Sequence, residues 1–153
     1  MKKVIFLVLA IVGLVNAMEL NKVDFDTYLS KFDYKERNEM KIKTPDMLAL
    51  VEEGKAVLVD ISFAKEFEGW NIAGSVNINL NEIQKRLNEL PKDKLIITAC
   101  PHNDRSNMAR VYLTLNGYQA KYLNDGLLKA ADFLRGENAK EYMDELKKNK
   151  EKK

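Results

Sequence analysis

The one cysteine of the chain, Cys100, stands at the end of an apolar run, Leu95-Ile96-Ile97-Thr98-Ala99, and is followed by Pro101-His102-Asn103-Asp104-Arg105-Ser106. A thiol does nucleophilic chemistry as its thiolate, and cationic neighbours and helix N-termini favour that form. Both are expected here. Arg105 brings a permanent positive charge, and Ser106 is positioned to open an amphipathic helix. A loop that curls from Cys100 to Arg105 can also aim backbone N–H groups at the sulfur, a nest suited to a thiolate or a terminal persulfide anion. Asp104 works against this unless its carboxylate faces solvent or pairs with a cation. Cys100 is therefore the expected nucleophile, with Pro101, His102, Asn103, Asp104, Arg105 and Ser106 as the expected substrate-binding loop.

Three other chemistries fit less well. A cysteine protease needs a histidine placed opposite the thiol, but the only histidine, His102, lies in the same loop. Thiolate phosphatases and arsenate reductases close a similar loop on an arginine with one more residue between the two. The shorter loop here makes a narrower nest, cramped for a tetrahedral phosphate. One Cys and one His do not supply the ligands of a metal site.

The chain has 153 residues, 46% hydrophobic and 31% charged, which suits one globular domain with a core. Its net charge of +2 is unevenly spread. Lys2 and Lys3 lie at the N-terminus, and residues 147–153 hold five lysines and one glutamate, so the body between is weakly acidic. No basic face interleaved with aromatics appears, which argues against nucleic acid as a partner. Residues 1–17 have the layout of a secretory signal peptide: two lysines, an apolar run over 4–15 and small residues for cleavage after Ala17. That run is shorter than the ~20 residues of a membrane span, so the expectation is an exported chain cleaved of this segment, without stable membrane insertion and periplasmic in a Gram-negative source, with an uncleaved membrane anchor as the alternative. In an oxidising compartment structural cysteines come in pairs, so a lone exported cysteine beside a polar loop reads as reactive.

The elements that must position the loop follow from periodicity. Phe25, Tyr28, Leu29 and Phe32 predict an amphipathic helix over residues 23–37, packed on the body. Thr44 is the expected N-cap of a helix that starts with Pro45 and stops at Gly54. Short apolar runs predict strands at 56–59, 76–78, 95–99 and 120–123. Helices are expected at 64–69 with Ser62 as cap, around Leu80, Ile83 and Leu87, at 106–116 with Gly117 as its stop, at 127–134 and at 139–148. Strands alternating with helices predict an α/β fold, a parallel β-sheet covered by helices on both faces. Ligands of such sheets bind beyond the strands' carboxyl ends, where Cys100 stands.

The stretch from Val57 to Ile78 resembles the first signature of rhodanese-like sulfurtransferases: an apolar strand, Asp-x-Arg, Glu-Tyr/Phe, then Gly-His-Ile-Pro-Gly-Ala and Asn-Ile. The run Cys100–Ser106, with Gly117-Tyr118 and the turn from Leu123 to Gly126, is similar to the second signature. The resemblance covers about residues 42–135. Ser62 replaces the family's arginine, Trp70-Asn71 its Gly-His, Ala73 its proline, Asn103 the loop glycine and Asp125 the first turn glycine. Asn103 is expected to sustain a left-handed turn in place of that glycine. Asp60 matches a family position that is mainly structural. The resemblance implies a rhodanese-like domain over 42–136, preceded by a helical extension over 18–41 and followed by a charged helix and tail over 137–153. It implies sulfane-sulfur transfer through a Cys100 persulfide, from thiosulfate, polysulfide or a persulfide to cyanide or a thiol, a protein thiol included. No cofactor is required. A binding or redox-sensing module is the alternative, and the two flanking helices are candidate homodimer contacts.

Overall fold

The computed structural model describes residues 22–151, so the signal-peptide reading of residues 1–17 lies outside the described residues. Five parallel strands form one sheet: β1 (Lys41–Ile42), β2 (Ala56–Asp60), β3 (Val76–Asn77), β4 (Leu95–Ala99) and β5 (Ala120–Leu123), in the order β1-β5-β4-β2-β3. Strand β4 is central, flanked by β2 (Asp60 against Ala99) and β5 (Ile96 against Ala120). The helices are α1 (Phe25–Ser30), α2 (Tyr34–Glu39), α3 (Thr44–Glu52), α4 (Ala64–Gly69), α5 (Asp104–Leu115), α6 (Gly126–Phe133) and α7 (Glu137–Glu151). No helix among the described residues is long and apolar enough to cross a membrane.

The two-residue period of the strands splits the core into two layers. Leu58, Ile97, Ala99 and Leu123 face α3, α6 and α7 and pack with Met47, Leu48, Leu127, Ala130 and Tyr142. Val59, Ile96 and Ala120 face α5 and pack with Ala109, Leu113, Ile78, Ile83 and Leu90. Cys100 continues the second layer, so its side chain points beneath the start of α5.

Several local expectations are corrected. The helix expected over 23–37 is broken in two, because Asp33 caps a new start by accepting the Glu36 N–H at 2.8 Å. Its apolar residues do not pack inward: Phe25, Leu29 and Phe32 are exposed. The pair is held instead by polar contacts. The buried Arg110 guanidinium donates to Tyr28 Oη at 2.6 Å and to Glu36, and Val23 N–H donates to the Leu115 carbonyl at 2.9 Å. Thr44 is the first residue of α3 and not its cap; its N–H donates to Asp125 Oδ2 at 3.0 Å, so a residue of the β5–α6 turn caps α3 from across the sequence. Ser62 does not cap α4, whose N-cap is Phe63. The helix expected around Leu80–Leu87 is two 3-10 turns, Leu80–Glu82 and Leu87–Glu89, which still bury Ile83. Strand β1, unexpected from the sequence, is two residues long and exists because β5 offers its edge: Tyr122 and Asn124 N–H groups donate to Met40 and Ile42 carbonyls at 3.0 and 2.9 Å.

Candidate active site

Cys100 leaves β4 at the carboxyl edge of the sheet and enters a turn of three residues, Pro101-His102-Asn103. Helix α5 begins at Asp104, two residues earlier than the periodicity indicates, so Asp104 and Arg105 belong to its first turn. The turn is fixed from three sides. The Leu127 and Leu128 N–H groups at the start of α6 donate to the Cys100 and Pro101 carbonyls at 2.8 and 3.2 Å. Asn103 Nδ2 donates to the Asn124 carbonyl at 3.0 Å. Ser106 Oγ donates to the Asn103 carbonyl at 3.0 Å, while Thr98 Oγ1 donates to the Ser106 carbonyl at 2.8 Å. Ser106 is wholly buried, so it braces the turn from within and presents nothing to solvent.

Asn103 has φ −156°, and no residue other than glycine has a positive φ among the described residues. The left-handed turn expected at Asn103 is therefore absent. The left-handed position is instead Gly126 (φ +73°), where a Cβ would lie 2.5 Å from the Pro101 carbonyl oxygen. Only a residue without a side chain lets α6 approach the cysteine turn this closely.

The electrostatics of the site turn on its charged side chains. Arg105 forms a two-pronged ion pair with Glu66 of α4, Nη1 to Oε2 at 2.7 Å and Nη2 to Oε1 at 3.0 Å, and lies over the Phe63 ring at 5.7 Å. The pair holds the Glu66 carboxyl below its usual range and raises the Arg105 guanidinium. Asp104 is exposed, yet its Oδ1 lies 3.6 Å from Cys100 Sγ, positioned to accept the thiol proton. The Arg105 backbone N–H at the helix start, followed by the thiol contact, keeps the Asp104 carboxyl low. Cys100 itself has no exposed surface. Asp60, at the end of β2, is also buried; it accepts the Ser62 N–H at 2.9 Å, and burial pushes its carboxyl up. His102 is exposed, and with Pro101 it borders a groove lined by Leu128, Lys129, Asp125 and Arg135.

The loop residues and Asp60 thus gather at one edge of the sheet. Arg105 is already engaged by Glu66, and the buried thiol meets a carboxylate first. Glu66, Phe63 and Gly126 were not legible as site residues from the loop alone. Glu66 carries two signals: it is the glutamate of the Glu-Tyr/Phe signature, and it falls in the first turn of the helix after β2, which begins at the same sheet edge as Cys100.

A parallel α/β sheet whose central strand delivers a cysteine into a turn at a helix N-terminus, closed by Cys-x4-Arg, defines a cysteine-loop α/β domain. The family model of the rhodanese-like domain matches residues 44–131, more than half of the chain, and the chain belongs to that family. It is 32% identical over 88 residues to the thiosulfate sulfurtransferase GlpE of Pseudomonas syringae, covering 58% of this chain and 83% of that protein. It is 40% identical over 63 residues to the uncharacterized protein YqhL of Bacillus subtilis, covering 41% of this chain and half of that protein. A crystal structure of reduced Bacillus anthracis CoADR-RHD superposes with a TM-score of 0.58 at 31% identity, covering 61% of this chain and 17% of that one.

Proposed function

We propose that the protein is an exported sulfurtransferase that carries sulfane sulfur on Cys100. The supporting observation is the placement of Cys100 at the end of β4, in a turn braced by α6 and closed by Arg105 under the grip of Glu66. In this reading the Cys100 thiolate attacks the outer sulfur of a donor such as thiosulfate, a polysulfide or a persulfide. A bond forms between Sγ and that sulfur, the donor's sulfur–sulfur bond breaks, and sulfite or a thiolate leaves with the electron pair. A thiol or cyanide acceptor then attacks the outer persulfide sulfur and restores the thiolate. The first-turn N–H groups of α5 offset the negative charge. Access to the buried sulfur comes from rotation of the exposed Asp104 side chain, a fast motion for a surface group.

Mass spectrometry after incubation with each donor tests the reading. One added sulfur on Cys100, removed by cyanide and absent from Cys100→Ser, is the expected result; no adduct with any donor refutes it. The burial of Cys100 favours one second reading, a non-catalytic module whose thiol serves binding or redox sensing. Such a module would give no sulfur adduct. Export is tested by sequencing the N-terminus of the secreted protein, which should begin at Met18.

A further inference from the structure

We propose that Asp104 is a specificity-determining residue that selects against dianionic sulfur donors, so that the donor class of this site is a persulfide, R–S–SH. The proposal rests on the sulfurtransferase reading and names its donor. Its basis is a count of the charges that an incoming donor meets. Arg105 is the one cation in the first turn of α5, and both of its Nη groups are spent on Glu66. Asp104 Oδ1 is 3.6 Å from the sulfur and is the exposed group in contact with it. The buried Asp60 lies on the neighbouring strand end. In the groove beside the turn, Lys129 and Arg135 are balanced by Asp125 and Asp132, with Arg135 Nη2 paired to Asp132 Oδ1 at 3.1 Å. Of these groups, Asp104 is the one in contact with the thiol.

A thiosulfate dianion must bring two negative charges to within contact range of the Asp104 carboxylate. Two such repulsions in a water-like medium, after salt screening, slow the approach on the order of tenfold. A persulfide brings at most one charge at its reacting end, and its protonated form brings none. The balanced step is Cys100–SH plus R–S–SH giving Cys100–S–SH plus R–SH. The bond between the two donor sulfurs breaks, the Sγ–S bond forms, and the proton leaving Sγ passes by way of Asp104 to the departing R–S⁻. No external oxidant or reductant is needed.

The test is the rate of Cys100 sulfuration by thiosulfate and by cysteine persulfide, followed by mass spectrometry at fixed ionic strength in wild type and Asp104→Asn. Asparagine keeps the shape and removes the charge. The thiosulfate rate should rise about tenfold in the variant while the cysteine persulfide rate falls, because the amide cannot relay the proton. The wild-type thiosulfate rate should also increase with added salt, and that dependence should shrink in the variant. Equal changes for the two donors, or an unchanged thiosulfate rate, overturn the assignment of Asp104. Absence of any Cys100 adduct in wild type with either donor instead overturns the sulfurtransferase reading itself. Matching circular dichroism spectra and melting curves confirm that the variant is folded.

Discussion

Replacing Gly126 by alanine tests how the cysteine turn is held. Gly126 has φ +73°, and an alanine there carries a backbone cost of about 1 kcal/mol. Its Cβ would sit 2.5 Å from the Pro101 carbonyl oxygen and 2.8 Å from the His102 carbonyl carbon, with His102 O closer still. Those atoms are backbone and cannot rotate away, so the turn and α6 must separate by roughly 1 Å to restore ordinary contact. Separation stretches the hydrogen bonds from Leu127 and Leu128 to Cys100 and Pro101, now 2.8 and 3.2 Å and worth about 1 kcal/mol each. The sum is a loss of about 3 kcal/mol. Gly54 is the internal control: its φ is +69°, but a Cβ there meets nothing within 4 Å, so Gly54→Ala should cost only the backbone share. Urea unfolding gives the stabilities, and the rate of Cys100 alkylation by iodoacetamide reports the turn. Gly126→Ala should be the less stable by about 2 kcal/mol and should alkylate faster, because its buried sulfur loses cover. Equal costs for the two variants, or unchanged alkylation in Gly126→Ala, would refute the close approach as the reason for glycine.

Two further outcomes follow from buried charge. Arg110 is 4% exposed and joins Glu36, Tyr28 and the Ala120 carbonyl, so Arg110→Ala leaves the Glu36 carboxylate without its cation, bonded only by Tyr28 Oη, and should cost about 3 kcal/mol. Protease should then cut first between α1 and α2 in the variant; an unchanged cleavage pattern would show that α1 and α2 dock by other means. Asp60 has its carboxyl raised by burial, with the Ser62 hydrogen bond and the Arg105 charge acting against the shift. A carboxyl raised on folding contributes stability fully below its unfolded value, and that contribution is lost as pH rises through the folded value. Asp60→Asn removes this loss and retains an acceptor for the Ser62 N–H. The stability of the variant relative to wild type should therefore increase as pH climbs from about 3 to 7, measured by urea unfolding at each pH; a constant or shrinking difference would contradict the buried-carboxylate account.

The regular parts of this chain are written in its local pattern. Apolar runs at β2, β4 and β5 and the stop at Gly117 (φ +80°) are fixed by side-chain period and backbone freedom, which depend on near neighbours only. The cysteine at the strand end, with an arginine five residues further along the chain, marks the candidate site and its family. Tertiary structure decided what the sequence left open. The helix expected over 23–37 broke at Asp33, whose capping contact outweighed continuation, and its aromatics stayed exposed because Arg110, far away in sequence, holds the segment by polar bonds. Strand β1 is too short to have a period and appears only where β5 offers an edge. Arg105, expected to serve the sulfur, is drawn to Glu66 across 39 positions, and Asp104, expected to face solvent or a cation, turns its oxygen to Cys100. The sequence alone placed a lone cysteine at a strand end. Which charges face it depended on side chains that meet only when β2, β4 and α4 bring their ends to one edge of the sheet, since electrostatic contact follows distance in space and not distance along the chain.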